Sequence, residues 1–159
     1  GRLFAHQHYN LQPDLVCLAK SIAGGLPMGA VLLGPRVGEL PPQVHGSTFG
    51  GNPLACAASL AALDFIESNH LAERSAELGA WFLGKLQRIE SPLIRDVRGL
   101  GLMVGIELSQ KSRPYIDQLH DRGVLALPAG PTVVRLLPPL NILDEEIEQV
   151  IDTLYGVLN

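Results

Sequence analysis

The sequence lacks the features that would assign it to several broad classes of protein. Its two cysteines, Cys17 and Cys56, have no CxxC spacing and no paired histidines, so neither a metal site nor a disulfide framework is indicated. Its formal net charge of −4 gives no electrostatic basis for binding nucleic acid. No apolar run approaches the length of a membrane span, and no charged-then-apolar pattern at the start indicates an export signal. We therefore expect a cytoplasmic protein with reduced cysteines and neither a nucleic-acid nor a membrane partner.

The residues that are present predict a mixture of helices and strands. The chain has 159 residues, of which 47% are hydrophobic, and this suits a globular protein with a sizeable core. Apolar runs at 14–19 and 29–33 predict buried strands, and the alanine-rich segment 53–67 predicts a helix capped by Asn52, with Pro53 at its first position. The later predicted elements are a helix at 71–89, a strand, turn and strand at 93–108, a helix at 114–122, strands at 124–127 and 133–137, and a helix from 144. This order indicates an α/β or α+β fold.

Two glycine-rich stretches do not match nucleotide-binding loops. In GLGLMVG (99–105) the third glycine of a GxGxxG fingerprint would fall at Val104, and the segment continues as a strand instead of opening a helix. AGGLPMGA (23–30) lacks the Gly-Lys-Ser/Thr ending of a nucleotide P-loop. We reject both nucleotide-binding interpretations.

Lys20 follows the first apolar run and precedes the glycine-rich loop, within LAKSIAGGLPMGAV (18–31). Ligands of open α/β sheets bind beyond the carboxyl ends of the strands, where partial desolvation leaves a lysine with a free amine that can attack a carbonyl. The glycines allow a tight turn or a close backbone approach. The alternative is a surface lysine at the end of a strand, and for a lone lysine that alternative is the better interpretation.

A second polar stretch, HGSTFGGNP (45–53), places Ser47 and Thr48 just before a predicted helix. Backbone N–H groups, hydroxyls and the helix dipole at such a position suit an oxyanion such as phosphate. An ordinary capped helix with a glycine turn explains the stretch equally well, and we place His45 in the loop. Taken together, a Schiff-base lysine and a phosphate site describe pyridoxal phosphate chemistry.

Arg135 alternates with apolar residues in VVRLLPPL (133–140), which predicts a buried strand. A guanidinium there needs an anionic partner, and its planar fork matches a carboxylate. The residues alone favour an internal salt bridge to an aspartate or glutamate.

Four motifs, in the same order and spread over nearly the whole chain, resemble those of a class III aminotransferase of fold type I. They are LAKSIAGGLPMGAV (18–31), HGSTFGGNPLACAA (45–58), VRGLGLMVGIEL (97–108) and VVRLLPPLNI (133–142). Within that class the chain most resembles the acetylornithine aminotransferase group. The segment from RPYIDQL to VLALPAGPTVVRLLPPL is also similar to the branch that acts on lysine precursors bound to the carrier protein LysW.

The resemblance implies a role for each candidate residue. Lys20 would hold pyridoxal 5'-phosphate as a Schiff base and later move a proton between substrate and cofactor. Thr48 would bind the cofactor phosphate across the interface of a homodimer, and Ser47 would lie against the substrate. Arg135 would hold the carboxylate of the amino acid or of 2-oxoglutarate. The implied reaction passes a terminal amine, such as that of N-acetylornithine, to 2-oxoglutarate in arginine or lysine biosynthesis.

The resemblance also implies that part of the active site lies before Gly1. The family places an aspartate of an Asp-Glu-x-Gln-x-Gly motif on the cofactor ring nitrogen, and this motif belongs upstream of Lys20. We therefore expect the chain to be the C-terminal part of such an enzyme, with little activity alone. Residues 1–90 would end the large domain, and 91–159 would form a small α+β domain.

Other interpretations remain open from the sequence. An ornithine or γ-aminobutyrate aminotransferase, or a fold-type-I aminomutase or decarboxylase, would keep the lysine, and a degenerate relative could be a non-catalytic fragment. An acidic carrier protein would need a basic rim, for which the candidates are Lys85, Arg88 and Lys111.

Overall fold

The computed structural model describes all residues 1–159, which form two compact units. We call Arg2–His70 the N-terminal unit, and Leu71–Asn159 together with Gly1 the C-terminal unit. The domain boundary predicted near residue 90 concerns a longer enzyme and stays a prediction. None of the helices is both long and apolar enough to cross a membrane.

The N-terminal unit consists of short elements with little buried surface. Its elements are a 3-10 helix (Ala5–Tyr9), β1 (Leu15–Leu18), a second 3-10 helix (Lys20–Ala23), β2 (Ala30–Leu33) and α1 (Pro53–Ser68). β1 and β2 form a two-stranded antiparallel ribbon in which Leu15 lies opposite Leu33. Only Ala23, Ala55 and Ser59 of this unit are buried.

Helix α1 begins as the sequence predicts. The side chain of Asn52 accepts a hydrogen bond from the backbone N–H of Ala55 at 2.9 Å, and Pro53 occupies the first turn. These contacts satisfy one of the helix's free N–H groups and place proline where no N–H is needed. The helix is apolar on most sides, and Leu54 and Phe65 remain 71% and 51% exposed.

The C-terminal unit holds the hydrophobic core. Its elements are α2 (Leu71–Leu86), β3 (Ile94–Leu100), β4 (Met103–Leu108), α3 (Arg113–Asp121), β5 (Leu127–Pro128), β6 (Val133–Leu136) and α4 (Asp144–Leu158). The strands form one antiparallel sheet in the order β3-β4-β6-β5. Alternate residues such as Val104, Ile106 and Val134 are buried against the helices, and the opposite, outer face carries the polar residues.

One predicted strand is wrong for most of its length. Residues 124–127 were expected to be a strand, but β5 contains only Leu127 and Pro128. The backbone before it is already engaged at the end of α3, because the Val124 N–H donates to the Leu119 carbonyl. A ring nitrogen of His120 also lies 2.9 Å from the Ala126 carbonyl oxygen. These groups close the helix end, so they are not available to pair with β6.

Gly79 allows α2 to lie directly against the turn between β3 and β4. A Cβ atom at this position would collide with the backbone of Gly101, whose Cα would be 2.7 Å away. We expect Gly79→Ala to lower the free energy of unfolding by about 2–3 kcal/mol, because backbone atoms in a packed core cannot easily move apart. Thermal and denaturant unfolding of the complete protein encoded by the gene measures this loss.

Gly84 in the same helix is the matched control. A Cβ there meets nothing within 4 Å, so Gly84→Ala should be neutral or stabilising by up to about 1 kcal/mol. Equal losses of stability for the two variants would contradict the close-packing explanation.

Candidate active site

Lys20 lies in an unusual backbone conformation directly after β1. It opens the second 3-10 helix with a φ of 59°, in the left-handed region that non-glycine residues rarely adopt. Such a conformation costs on the order of 1 kcal/mol, and outliers of this kind cluster at functional sites. The turn ends in Gly24 and Gly25, whose φ angles of 60° and 115° explain the paired glycines.

The Lys20 side chain is exposed and makes no ion pair or hydrogen bond. Helix α1 packs against the 3-10 helix that Lys20 begins and helps to bury Ala23, but it leaves Lys20 open. The partial desolvation predicted for Lys20 concerns the complete protein and stays a prediction, since these 159 residues alone leave the side chain exposed. The physical reason for this exposure is that β1 and β2 form a ribbon of only two strands, so no further strand of the unit covers the residue.

Ser47 and Thr48 lie in the turn that leads into α1. The Gly50 N–H donates to the Ser47 carbonyl at 3.2 Å, and the side-chain amide of Asn52 donates to the Phe49 carbonyl at 3.1 Å. These bonds hold the turn just before the positive end of the helix dipole. The side-chain hydroxyls of both residues are exposed and have no protein partner, so they are available to an anion.

These side chains fit the two ends of pyridoxal phosphate. The cofactor needs an amine for its aldehyde and hydroxyl or N–H donors for its phosphate. Lys20 offers the amine, and Thr48 offers a hydroxyl beside a helix N-terminus. The acidic partner that the family resemblance assigns to the ring nitrogen has no counterpart among the matched motifs.

Arg135 lies on the outer face of the sheet in the C-terminal unit. It is in β6 between Val134 and Leu136, which point into the core, and its own side chain is half-buried. It forms no ion pair, and its buried Nε has no hydrogen-bond partner. The internal salt bridge favoured by the residues alone is therefore wrong. An unsatisfied buried donor is costly, and it indicates a ligand or protein group that completes the site.

Sequence reasoning missed an ion cluster on the same outer face. Arg98 of β3 donates from Nη1 to Asp96 and to Glu107, each at 2.7 Å. These hydrogen bonds, with that to Asp96 contributing most, raise the pKa of Arg98 above its ordinary value. The alternation of side chains along β3 and β4 could have revealed this cluster from the sequence. Successive side chains of a strand point to opposite faces, which places all three charged residues on the face opposite the core.

Comparison with known proteins identifies a family across the whole chain. The family model described as aminotransferase class-III matches residues 1–158. The chain is 50% identical over 161 residues to a [LysW]-aminoadipate semialdehyde transaminase of Deinococcus radiodurans, covering 100% of this chain and 38% of that protein. It is 45% identical over 160 residues to an ornithine aminotransferase of Exiguobacterium, covering 99% of this chain and 40% of that protein.

Solved structures agree with the sequence matches. The chain superposes on an acetylornithine aminotransferase from Elizabethkingia anophelis with a TM-score of 0.92 and 35% identity. That match covers 99% of this chain and 41% of the solved chain. The predicted mixed α/β fold is therefore confirmed, and the chain spans about two fifths of the length of these relatives.

Proposed function

Because this chain belongs to the class-III aminotransferase family, whose members depend on pyridoxal phosphate, we propose that it contributes Lys20, Ser47, Thr48 and Arg135 to a transaminase active site. The observation that carries the proposal is the buried Nε of Arg135, which has no partner within the chain, while Lys20, Ser47 and Thr48 are exposed and free to contact a ligand. Free polar groups on ordered elements are what a site needs for substrate and cofactor, because groups already paired would have to break those pairs first.

Each residue has a distinct task in this proposal. Lys20 would hold the cofactor aldehyde through its amine, and the same amine, when free, would move a proton at the reacting carbon of the substrate. Thr48 donates its hydroxyl to the phosphate, and Ser47 lies against the substrate. Arg135 holds a substrate carboxylate in a forked ion pair. The cofactor, when bound, supplies the electron sink for the reaction.

We place the reaction among transfers of a terminal amine to 2-oxoglutarate. The names of these relatives cover three amine chemistries: ornithine, acetylornithine and a substrate attached to LysW. Acetylornithine or a carrier-bound lysine precursor is our proposed donor, in cytoplasmic arginine or lysine biosynthesis. An acidic carrier protein is accordingly a proposed partner.

The complete active site is proposed to need protein beyond these 159 residues and a second subunit. The apolar α1, with Leu54 and Phe65 exposed, is a surface that globular proteins normally cover. A longer chain and a homodimer with shared active sites would both cover such surface. The 159-residue chain alone is therefore expected to show little or no transaminase activity.

The experiment begins with the DNA upstream of Gly1 in the same reading frame. A segment encoding Asp-Glu-x-Gln-x-Gly, preceded by a glycine-rich phosphate loop, supports the proposal and defines the complete protein to express. That protein is then assayed for 2-oxoglutarate-dependent consumption of N-acetylornithine, ornithine, γ-aminobutyrate and carrier-bound lysine. The highest kcat/KM is expected for N-acetylornithine or the carrier-bound amine. A stop codon directly upstream would instead support a non-catalytic relic. Turnover without any keto acid acceptor would support a decarboxylase or aminomutase.

A further inference from the structure

Arg135 lies in a row of residues that crosses the outer face of the sheet. It pairs in register with Gly105 of β4, and Gly105 pairs in turn with Arg98 of β3. Residues directly opposite each other in antiparallel strands point to the same face. Two guanidinium side chains therefore flank a position that has no side chain of its own.

Glu107 occupies the next row and lies within reach of both arginines. It lies opposite Asp96 on one side and Val133 on the other, so Arg98 and Arg135 are both its diagonal neighbours. Diagonal neighbours in a sheet are roughly 7–8 Å apart, a distance that long side chains can span. The backbone thus allows Glu107 to form an ion pair in either direction.

In the structure Glu107 forms its ion pair with Arg98. Its Oε2 accepts from Arg98 Nη1 at 2.7 Å, and Asp96 accepts from the same nitrogen at 2.7 Å. Arg135 receives no carboxylate, and its Nε stays unpartnered. The two acidic groups on this face are therefore both held on the β3 side of the sheet.

We infer that Arg98 is a positioning residue that holds Glu107 away from Arg135 and so keeps Arg135 free for a substrate carboxylate. This inference rests on the proposed role of Arg135 as the carboxylate-binding residue. Without Arg98, Glu107 would be an unpaired carboxylate beside an unpaired guanidinium, and the two would attract each other. The internal pair would then compete with the dicarboxylate acceptor.

The test uses the complete protein with its cofactor and compares Arg98→Met with Arg98→Met/Glu107→Gln. Steady-state kinetics gives KM for 2-oxoglutarate, and calorimetric titration gives Kd for glutarate, a dicarboxylate with no keto group to react. We expect Arg98→Met to raise both constants roughly three- to fivefold, because a competing, partly exposed ion pair contributes up to about 1 kcal/mol. The second substitution should restore both constants to within about twofold of the starting protein, because a neutral amide no longer competes.

A general loss of folding would not produce this pattern. It would change the thermal midpoint and kcat for every donor, and Glu107→Gln would not repair it. Unchanged constants in Arg98→Met, or raised constants that the second substitution leaves raised, overturn the inference. If Arg98→Met does not fold, Arg98→Gln removes the same charge but keeps a polar side chain on the outer face, and it is expected to shift the constants in the same direction.

Arg135→Ala separates this inference from the proposal on which it rests. If Arg135→Ala leaves KM for 2-oxoglutarate and Kd for glutarate unchanged, the proposed role of Arg135 fails and the inference fails with it. If Arg135→Ala weakens both while Arg98→Met changes neither, only the positioning role of Arg98 is wrong.

Discussion

Replacing Lys20 by alanine should lower kcat/KM for amino transfer by about a thousandfold or more in the complete protein, which is the loss expected for a group that moves a proton at the reacting carbon. The structure gives Lys20 a strained backbone at the end of β1 and an amine without any internal partner. Removing that amine takes away the nucleophile for the cofactor aldehyde as well as the proton carrier. Lys20→Arg should lose nearly as much, since a guanidinium does not deprotonate to become a nucleophile.

Lys111→Ala, assayed with N-acetylornithine as a free donor that needs no carrier contact, is the matched control for this prediction. Lys111 is exposed and unpaired in the C-terminal unit, and the chain has only one other lysine, Lys85, which lies over the Trp81 ring at 5.6 Å. Borohydride reduction of the protein with pyridoxal phosphate, followed by peptide mass spectrometry, should place the cofactor mass on Lys20. A stable label on Lys85 or Lys111, or full turnover by Lys20→Ala, would falsify the assignment of the nucleophile.

The features that sequence reasoning predicted correctly are determined locally. Asn52 and Pro53 define a helix start within four residues. The helix predicted at 114–122 ends before Gly123, whose φ of 83° few other residues adopt. The alternation around Arg135 likewise predicted its strand, since side-chain direction in a strand changes at every residue. Short-range geometry of this kind is contained in the sequence itself.

The features that sequence reasoning missed depend on distant parts of the chain. Residues 124–126 do not form a strand because the end of α3 engages the Val124 N–H and the Ala126 carbonyl. Likewise, Glu107 is paired with Arg98 and not with Arg135, although the pattern of the strands places both arginines within its reach.

The alanine variant of Arg135 should raise KM for 2-oxoglutarate roughly a hundredfold. A forked guanidinium–carboxylate contact has two charge-assisted hydrogen bonds, each worth about 1.5 kcal/mol, and alanine removes both. Arg135→Lys should fall between alanine and the original residue, because a lysine keeps the charge but loses the planar fork. The measurement is KM for 2-oxoglutarate at saturating amine donor, together with Kd for glutarate.

Arg113→Ala provides a control with the same loss of charge. Arg113 is an exposed residue of α3 whose Nε lies 2.9 Å from Asp117, and such surface pairs within a helix contribute little, about 0.3–0.5 kcal/mol. Its removal should leave KM for 2-oxoglutarate unchanged, which excludes a simple effect of net charge. If Arg135→Ala and Arg113→Ala behave alike, the unpartnered Nε of Arg135 has another explanation, and carboxylate binding must be assigned elsewhere. A large and selective effect at Arg135 would favour a transaminase over a decarboxylase or aminomutase, since those reactions do not require a 2-oxoglutarate acceptor.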